Sequence, residues 1–181
     1  MSTLKLPVDA NRDRILGSPG ASVELVQYGD FQCEHCAAVY AHIKFLQESL
    51  GKQLRFVFRH YPLVVLHPLS LDAAVASEAA GLQGKFWQMH DLIFENQKYL
   101  TKSIFSSFAR EIDMDTTMLD NISARKKLVY KVINDFESGV KSGVNGTPTF
   151  FVNGRRYSGF EDFEGLYRTC NYAIGINRML V

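Results

Sequence analysis

The sequence predicts an α/β fold in which an all-helical block separates two β-containing parts. Three observations carry this expectation. A β-type run, Val23-Glu24-Leu25-Val26-Gln27-Tyr28, leads within a few residues into Cys33-Glu34-His35-Cys36 and a helical stretch, then a second β-type run, Leu54-Arg55-Phe56-Val57-Phe58-Arg59. Residues from about 70 to 143 show helical spacing and no strand signal. The β signal returns at Thr149-Phe150-Phe151-Val152, opened by Pro148.

Each element has a local cause. Gly17-Ser18-Pro19-Gly20 forms a turn that admits the first strand, and Gly29-Asp30 breaks it. From Glu34 to Leu50, Tyr40, Ile43, Leu46 and Leu50 recur at steps of three and four, and Gly51 stands where a left-handed cap is expected. In the central block, Ala73, Ala74, Ala76, Ala79 and Ala80 specify one helix of high propensity. Phe86, Met89 and Ile93 mark a second, and Ile104, Phe108 and Ile112 a third. Leu128, Val132, Phe136 and Val140 mark a fourth, and the apolar faces of all four are expected to pack on each other and on the sheet. Asn153-Gly154 is a two-residue hairpin turn into Arg155-Arg156-Tyr157-Ser158, and a last helix runs from about Asp162 toward the carboxyl end.

Bulk properties exclude several function classes. The chain has 181 residues, enough for one sizeable core, with 46% hydrophobic and 22% charged residues, as in ordinary globular proteins. A formal net charge of +1 gives no bias toward nucleic acid or anionic surfaces. No apolar run reaches bilayer-spanning length, so membrane insertion is not expected. Met1-Ser2-Thr3-Leu4-Lys5-Leu6-Pro7-Val8-Asp9 lacks the features of a secretory signal. The expected location is therefore the cytoplasm, with a periplasmic or other extracytoplasmic location as the alternative if a signal has been removed.

Three cysteines, Cys33, Cys36 and Cys170, are too few for a disulfide scaffold. At a strand-to-helix junction, Cys33 lies at a helix amino end, where unpaired N–H groups favour a thiolate. Such thiols fall to pKa values of ~3.5–7.5. Cys36, one turn later, is close enough to form a disulfide and is shielded by the helix. Cys33 is thus the expected solvent-facing attacking sulfur, and Cys36 the resolving one. A protonated or hydrogen-bonding His35 imidazole favours the thiolate further, while the Glu34 carboxylate opposes it. Structural zinc takes four ligands, usually from two such pairs, and here there is one pair, with His35, His42, His60, His67 and His90 scattered. No metal site is expected. Pro148 lacks a backbone donor at the start of a strand, and a cis Thr147–Pro148 peptide would turn the Thr147 backbone toward an extended substrate beside the cysteines.

With both motifs in place, the chain resembles the DsbA-like branch of the thioredoxin superfamily. The resemblance is carried by Tyr28-Gly29-Asp30-Phe31-Gln32-Cys33-Glu34-His35-Cys36, by Phe56-Val57-Phe58-Arg59-His60-Tyr61-Pro62-Leu63, by Gly84-Lys85-Phe86-Trp87-Gln88-Met89-His90 and by Gly143-Val144-Asn145-Gly146-Thr147-Pro148-Thr149-Phe150-Phe151. It extends from about Asp13 to Phe160. It implies a single domain, with a thioredoxin-like part at about 13–66 and 144–181 and a helical insertion at about 67–143. It also implies a mixed sheet, a nucleophile at Cys33, a resolving thiol at Cys36, and a cis-proline loop at Thr147-Pro148. Two positions depart from the family. Glu34 replaces a common proline, and Gln27 stands where many members carry a buried acid on the strand before the motif. The Cys36 proton is then expected to leave through water, Glu24 or Asp30.

The leading expectation is a thiol–disulfide oxidoreductase acting on protein or peptide thiols and disulfides, recycled by a separate redox partner. It needs no cofactor beyond the Cys33–Cys36 disulfide. Oxidase, reductase and isomerase activity differ in reduction potential and partner, not in motif. The alternative is a copper- or zinc-handling or redox-sensing protein using Cys33, Cys36 and His35 as ligands. Trp87, Met89, His90 and Phe94 read as core of the helical block, His67 as a loop residue, and Cys170 as a buried thiol without a redox role.

Overall fold

The computed structural model describes residues 2–117, 122–159 and 162–179. Strand β1 (Arg14–Gly17) precedes β2 (Val23–Gly29), helix α1 (Glu34–Leu50) and β3 (Leu54–His60). Helices α2 (Ser70–Gly81), α3 (Phe86–Glu95), α4 (Ile104–Glu111) and α5 (Ile122–Lys141) follow, then β4 (Thr149–Val152), β5 (Arg155–Arg156) and α6 (Phe163–Met179). Residues 118–121 of the expected helical block, Phe160 at the end of the resemblance, and the last two residues of the chain lie outside those described.

The five strands form one mixed sheet in the order β1-β3-β2-β4-β5. Strands β2 and β3 are parallel, from Val23 opposite Leu54 to Gly29 opposite His60, and α1 connects them. The pairings β1–β3, β2–β4 and β4–β5 are antiparallel. The central strands read as continuous apolar runs because both faces are covered. Alternation sends Val23, Leu25, Phe56, Phe58, Phe150 and Val152 into the larger core under α1, α3 and α6. Val26, Tyr28, Val57, Tyr61 and Phe151 face the other side, where Phe136 of α5 covers them.

The sequence-predicted elements are present, with three differences. Strand β1 had no sequence-based expectation: four residues against Gly17 give too short a run to show alternation. It is held as an edge strand by β3, with the Trp87 indole N–H bonded to the Ile15 carbonyl at 3.2 Å. The second hairpin strand contains only Arg155 and Arg156. Both turn residues, Asn153 (φ 45°) and Gly154 (φ 75°), have the left-handed backbone that the tight hairpin requires. On α5 the expected apolar face drifts. Leu128 and Val132 are buried, but Val140 is 52% exposed. Each four-residue step overshoots a 3.6-residue turn, so three steps carry Val140 off the packed face and leave Asp135 and Ser138 on it.

Helix α2 is buried on nearly all sides, from Ala73 through Ala80. Its small side chains let neighbouring helices approach from several directions. Trp87, Met89, His90 and Phe94 of α3 are core residues, as expected, Trp87 partly buried and the other three fully. None of the described helices is long and apolar enough to cross a membrane.

Candidate active site

Strand β2 delivers the chain to the site. It ends at Gly29, where a Cβ would lie 2.5 Å from the Phe58 ring, so only glycine fits this approach between strands. The connection Asp30-Phe31-Gln32 is held at three points. Asp30 Oδ1 accepts from the Gln32 N–H at 2.8 Å, while Asp30 Oδ2 accepts from the Leu63 N–H and His67 Nδ1, each at 2.8 Å. From the helical block, Gln97 Nε2 donates to the carbonyls of Phe31 (2.9 Å) and Cys33 (2.8 Å).

Cys33 then caps α1 with extended backbone (φ −72°, ψ 122°), and Cys36 lies in the first turn. Both are free thiols. Cys36 is fully buried and Cys33 is 5% exposed. The expectation of a solvent-facing Cys33 is therefore corrected: the sulfur is nearly covered and lies against the loop at Thr147. The Cys33 thiol donates to the Thr147 carbonyl at 3.3 Å across 114 residues of sequence, so the proline loop meets the cysteines as expected. The Thr147–Pro148 peptide is cis.

The two sulfurs sit in opposite electrostatic settings. Cys33 is lowered from the ordinary thiol value near 9 to about 5, first by a hydrogen bond from the Cys36 thiol. Burial opposes this, while the Thr147 side chain and the backbone N–H groups of Cys36 and His35 lower it further. Cys36 is pushed well above 9, first by burial and then by the neighbouring Cys33 sulfur. These opposite settings are the ones expected of a sulfur at a helix amino end and of a buried one a turn later.

Thr147 Oγ1 is buried with no hydrogen-bond partner, and the Thr147 side chain is among the groups that favour the ionised form of Cys33. His35 is exposed, and its backbone N–H is among the groups that lower Cys33. Glu34 is exposed and is not among the leading influences on that sulfur. Gln27 is buried on β2, opposite Phe58 and Phe150. Glu24 lies at the far end of the same strand, 3.4 Å from Arg55.

Beside the motif runs a groove of about 340 Å³, bounded by His35, Pro148, Phe150, Tyr157, Phe163 and Leu166. Among the described residues, the ligand-type side chains that converge in a group of three are His60, Glu78 and Asp135, away from the cysteines. That group is already neutralised, with Lys131 Nζ at 2.6 Å from Asp135 and Arg14 Nε at 3.0 Å from Glu78. Cys170 is fully buried, as expected, and burial raises its thiol to about 12.

The sequence reading missed Asp30 as a structural centre, His67 as its partner, and Gln97. Asp30 was visible as an acid next to the motif. His67 and Gln97 come from distant loops with no local signal of their destination.

Comparison with known proteins places this geometry. The thioredoxin family model matches residues 9–171. The oxidised structure of BdbD from Bacillus subtilis superposes with a TM-score of 0.83 at 20% identity, covering 97% of this chain and 100% of that one. The thiol-disulfide exchange protein α-DsbA2 from Wolbachia pipientis gives a TM-score of 0.77 at 21% identity, over 88% and 86% of the two chains. In sequence, a protein named Na(+)/H(+) antiporter NhaA 1 from Salinispora arenicola is 37% identical over 176 residues, which is 97% of this chain and 27% of that protein. The chain thus spans about a quarter of the length of the curated relatives it matches. The cytoplasmic location expected from the amino end is corrected: the chain's structural neighbours are DsbA-like thiol–disulfide proteins, and nothing in the fold supports that placement. Fold, site and family match agree: the chain has the fold of these DsbA-like structures and is a member of the thioredoxin family.

Proposed function

We propose that the protein exchanges disulfides with protein or peptide substrates through Cys33 and Cys36, and that it acts mainly as a disulfide donor. The observation that carries this reading is the placement of the two sulfurs: Cys33 caps α1 against the Thr147 carbonyl of the cis-proline loop and is lowered to about 5, while Cys36 is fully buried a turn later and is raised. A substrate thiolate attacks Cys33 of the oxidised pair. The Cys33–Cys36 bond breaks, and Cys36 leaves and takes up a proton. A second substrate thiol then displaces Cys33, which departs readily because its thiolate is stabilised.

The same stabilisation favours the reduced pair and makes the disulfide oxidising. Each pKa unit is worth ~1.4 kcal/mol, or ~30 mV for a two-electron couple. The groove along Pro148, Phe150 and Phe163 suits an extended apolar segment, with the Thr147 backbone beside the attacked sulfur. The Cys33–Cys36 dithiol is the only redox group this chemistry requires, and a separate thiol–disulfide partner restores the oxidised form. Metal handling gains no support, because Cys33, Cys36 and His35 are not among the described residues that converge as ligands.

The test is refolding of a reduced, unfolded disulfide protein by the oxidised form. Stoichiometric transfer of disulfides by the parent protein, abolished in Cys33→Ser, is expected. Undiminished transfer by Cys33→Ser would sink the reading.

A further inference from the structure

The resolving sulfur has a single backbone donor among the described hydrogen bonds: the Asp30 N–H, 3.5 Å from Cys36 Sγ. Cys36 is fully buried, and this donor works against the burial that disfavours its ionised form. The direction of that N–H is set by the Asp30 side chain, whose carboxylate is inaccessible and whose three bonds reach into two loops. Of these partners, His67 is the one side chain, and it is 23% exposed. The loop between Leu63 and His67 is closed on itself by N–H bonds of Leu66 and His67 to the Leu63 carbonyl. Asp30 therefore grips a rigid turn rather than a loose segment.

Resting on the disulfide-exchange reading, we propose that Asp30 and His67 are positioning residues for the chemistry of Cys36. In the reductive direction, Cys36 gives its proton to a solvent base and its sulfur attacks Cys33 of the mixed disulfide. The Cys33–Cys36 bond forms, the bond from Cys33 to the substrate breaks, and the substrate sulfur leaves with the electron pair. In the oxidative direction the same atoms move in reverse, and Cys36 departs as the anion. Either way, negative charge passes through a buried sulfur, and the Asp30 N–H meets it. Gln27 cannot take a proton as a carboxylate does, so this held dipole is what the strand-to-helix junction offers Cys36. Loosening the clamp bears first on Cys36, since the Asp30 N–H points at that sulfur, while the Asp30 backbone meets Cys33 through its carbonyl, which accepts from the Cys33 N–H at 3.2 Å, and not at the Cys33 sulfur.

The experiment measures two steps in the parent protein, His67→Ala and His67→Asn. One is the rate of Cys33 alkylation by iodoacetamide in the reduced protein. The other is the lifetime of the Cys33–glutathione mixed disulfide after addition of oxidised glutathione, followed by acid quench and mass spectrometry. His67→Ala is expected to lengthen that lifetime about tenfold, the loss of roughly one hydrogen bond, with Cys33 alkylation within about twofold of the parent. His67→Asn, which retains a donor close to the Nδ1 position, is expected to restore most of the rate. An unchanged lifetime in His67→Ala overturns the proposal. So does a proportional slowing of Cys33 alkylation, which would mean general loosening. If the parent protein forms no mixed disulfide at Cys33 at all, the exchange reading itself fails and this inference falls with it.

Discussion

Thr147 shows how a single side chain sets the redox chemistry. Its carbonyl accepts from the Cys33 thiol, and its buried hydroxyl, which has no hydrogen-bond partner, is among the groups that favour the ionised sulfur. Thr147→Val keeps the shape and removes the hydroxyl. The pH midpoint of Cys33 reactivity is expected to rise by about half to one unit, measured by thiolate absorbance against pH. No rise would mean that the α1 amino end and Cys36 do the work alone. Thr147 and Cys33 were readable from sequence because each sits in a motif with a local physical signature, a proline-opened strand and a helix cap. Asp30, His67 and Gln97 were not, because their roles depend on which loops meet at the site. A carboxylate before a cysteine motif looks the same whether it faces solvent or ties down two loops.

At the level of elements, α5 lies on the sheet through a glycine. A Cβ at Gly139 would sit 2.8 Å from the Tyr61 ring and 3.0 Å from Tyr28, so the helix can approach β2 and β3 only without one. Alanine has the better helix propensity by ~1 kcal/mol, yet overpacking of this kind costs ~1–3 kcal/mol. Gly139→Ala is therefore expected to lower the urea midpoint. A raised midpoint would show that propensity wins. The sequence spacing located α5 correctly but misjudged its face near Val140, because a strict four-residue repeat was followed past the point where helical geometry allows it. Strand β1 escaped notice for a different reason. A four-residue edge strand owes its form to its partner, through the Arg14–Phe58 to Gly17–Arg55 register, and not to its own pattern.

Across the whole molecule, a buried ionic network joins the helical block to the sheet. Glu78 of α2 meets Arg14 of β1 and His60 of β3, while Lys131 and Asp135 of α5 complete it. Burial alone would raise the Glu78 carboxyl, but His60, Lys131 and Arg14 hold it well below the usual value near 4.5. Its folded value is depressed, so its contribution to stability is present above about pH 4.5 and is lost as pH falls further. Glu78→Gln is expected to flatten the fall in stability below that pH, as followed by circular dichroism. An unaltered acid limb would place the acid sensitivity elsewhere. The α/β class and the order of parts were legible because hydrophobic periodicity is local. The network was not, since no spacing in the chain relates residues 14, 60, 78 and 131.

The pH dependence of alkylation at each cysteine in the reduced, native protein tests the central claim most directly. Cys33 is expected to be labelled with a midpoint near pH 5 while Cys36 stays protected throughout the native range. A Cys33 midpoint near 9, or equal labelling of the two sulfurs, would contradict the assignment of Cys33 as the ionised nucleophile.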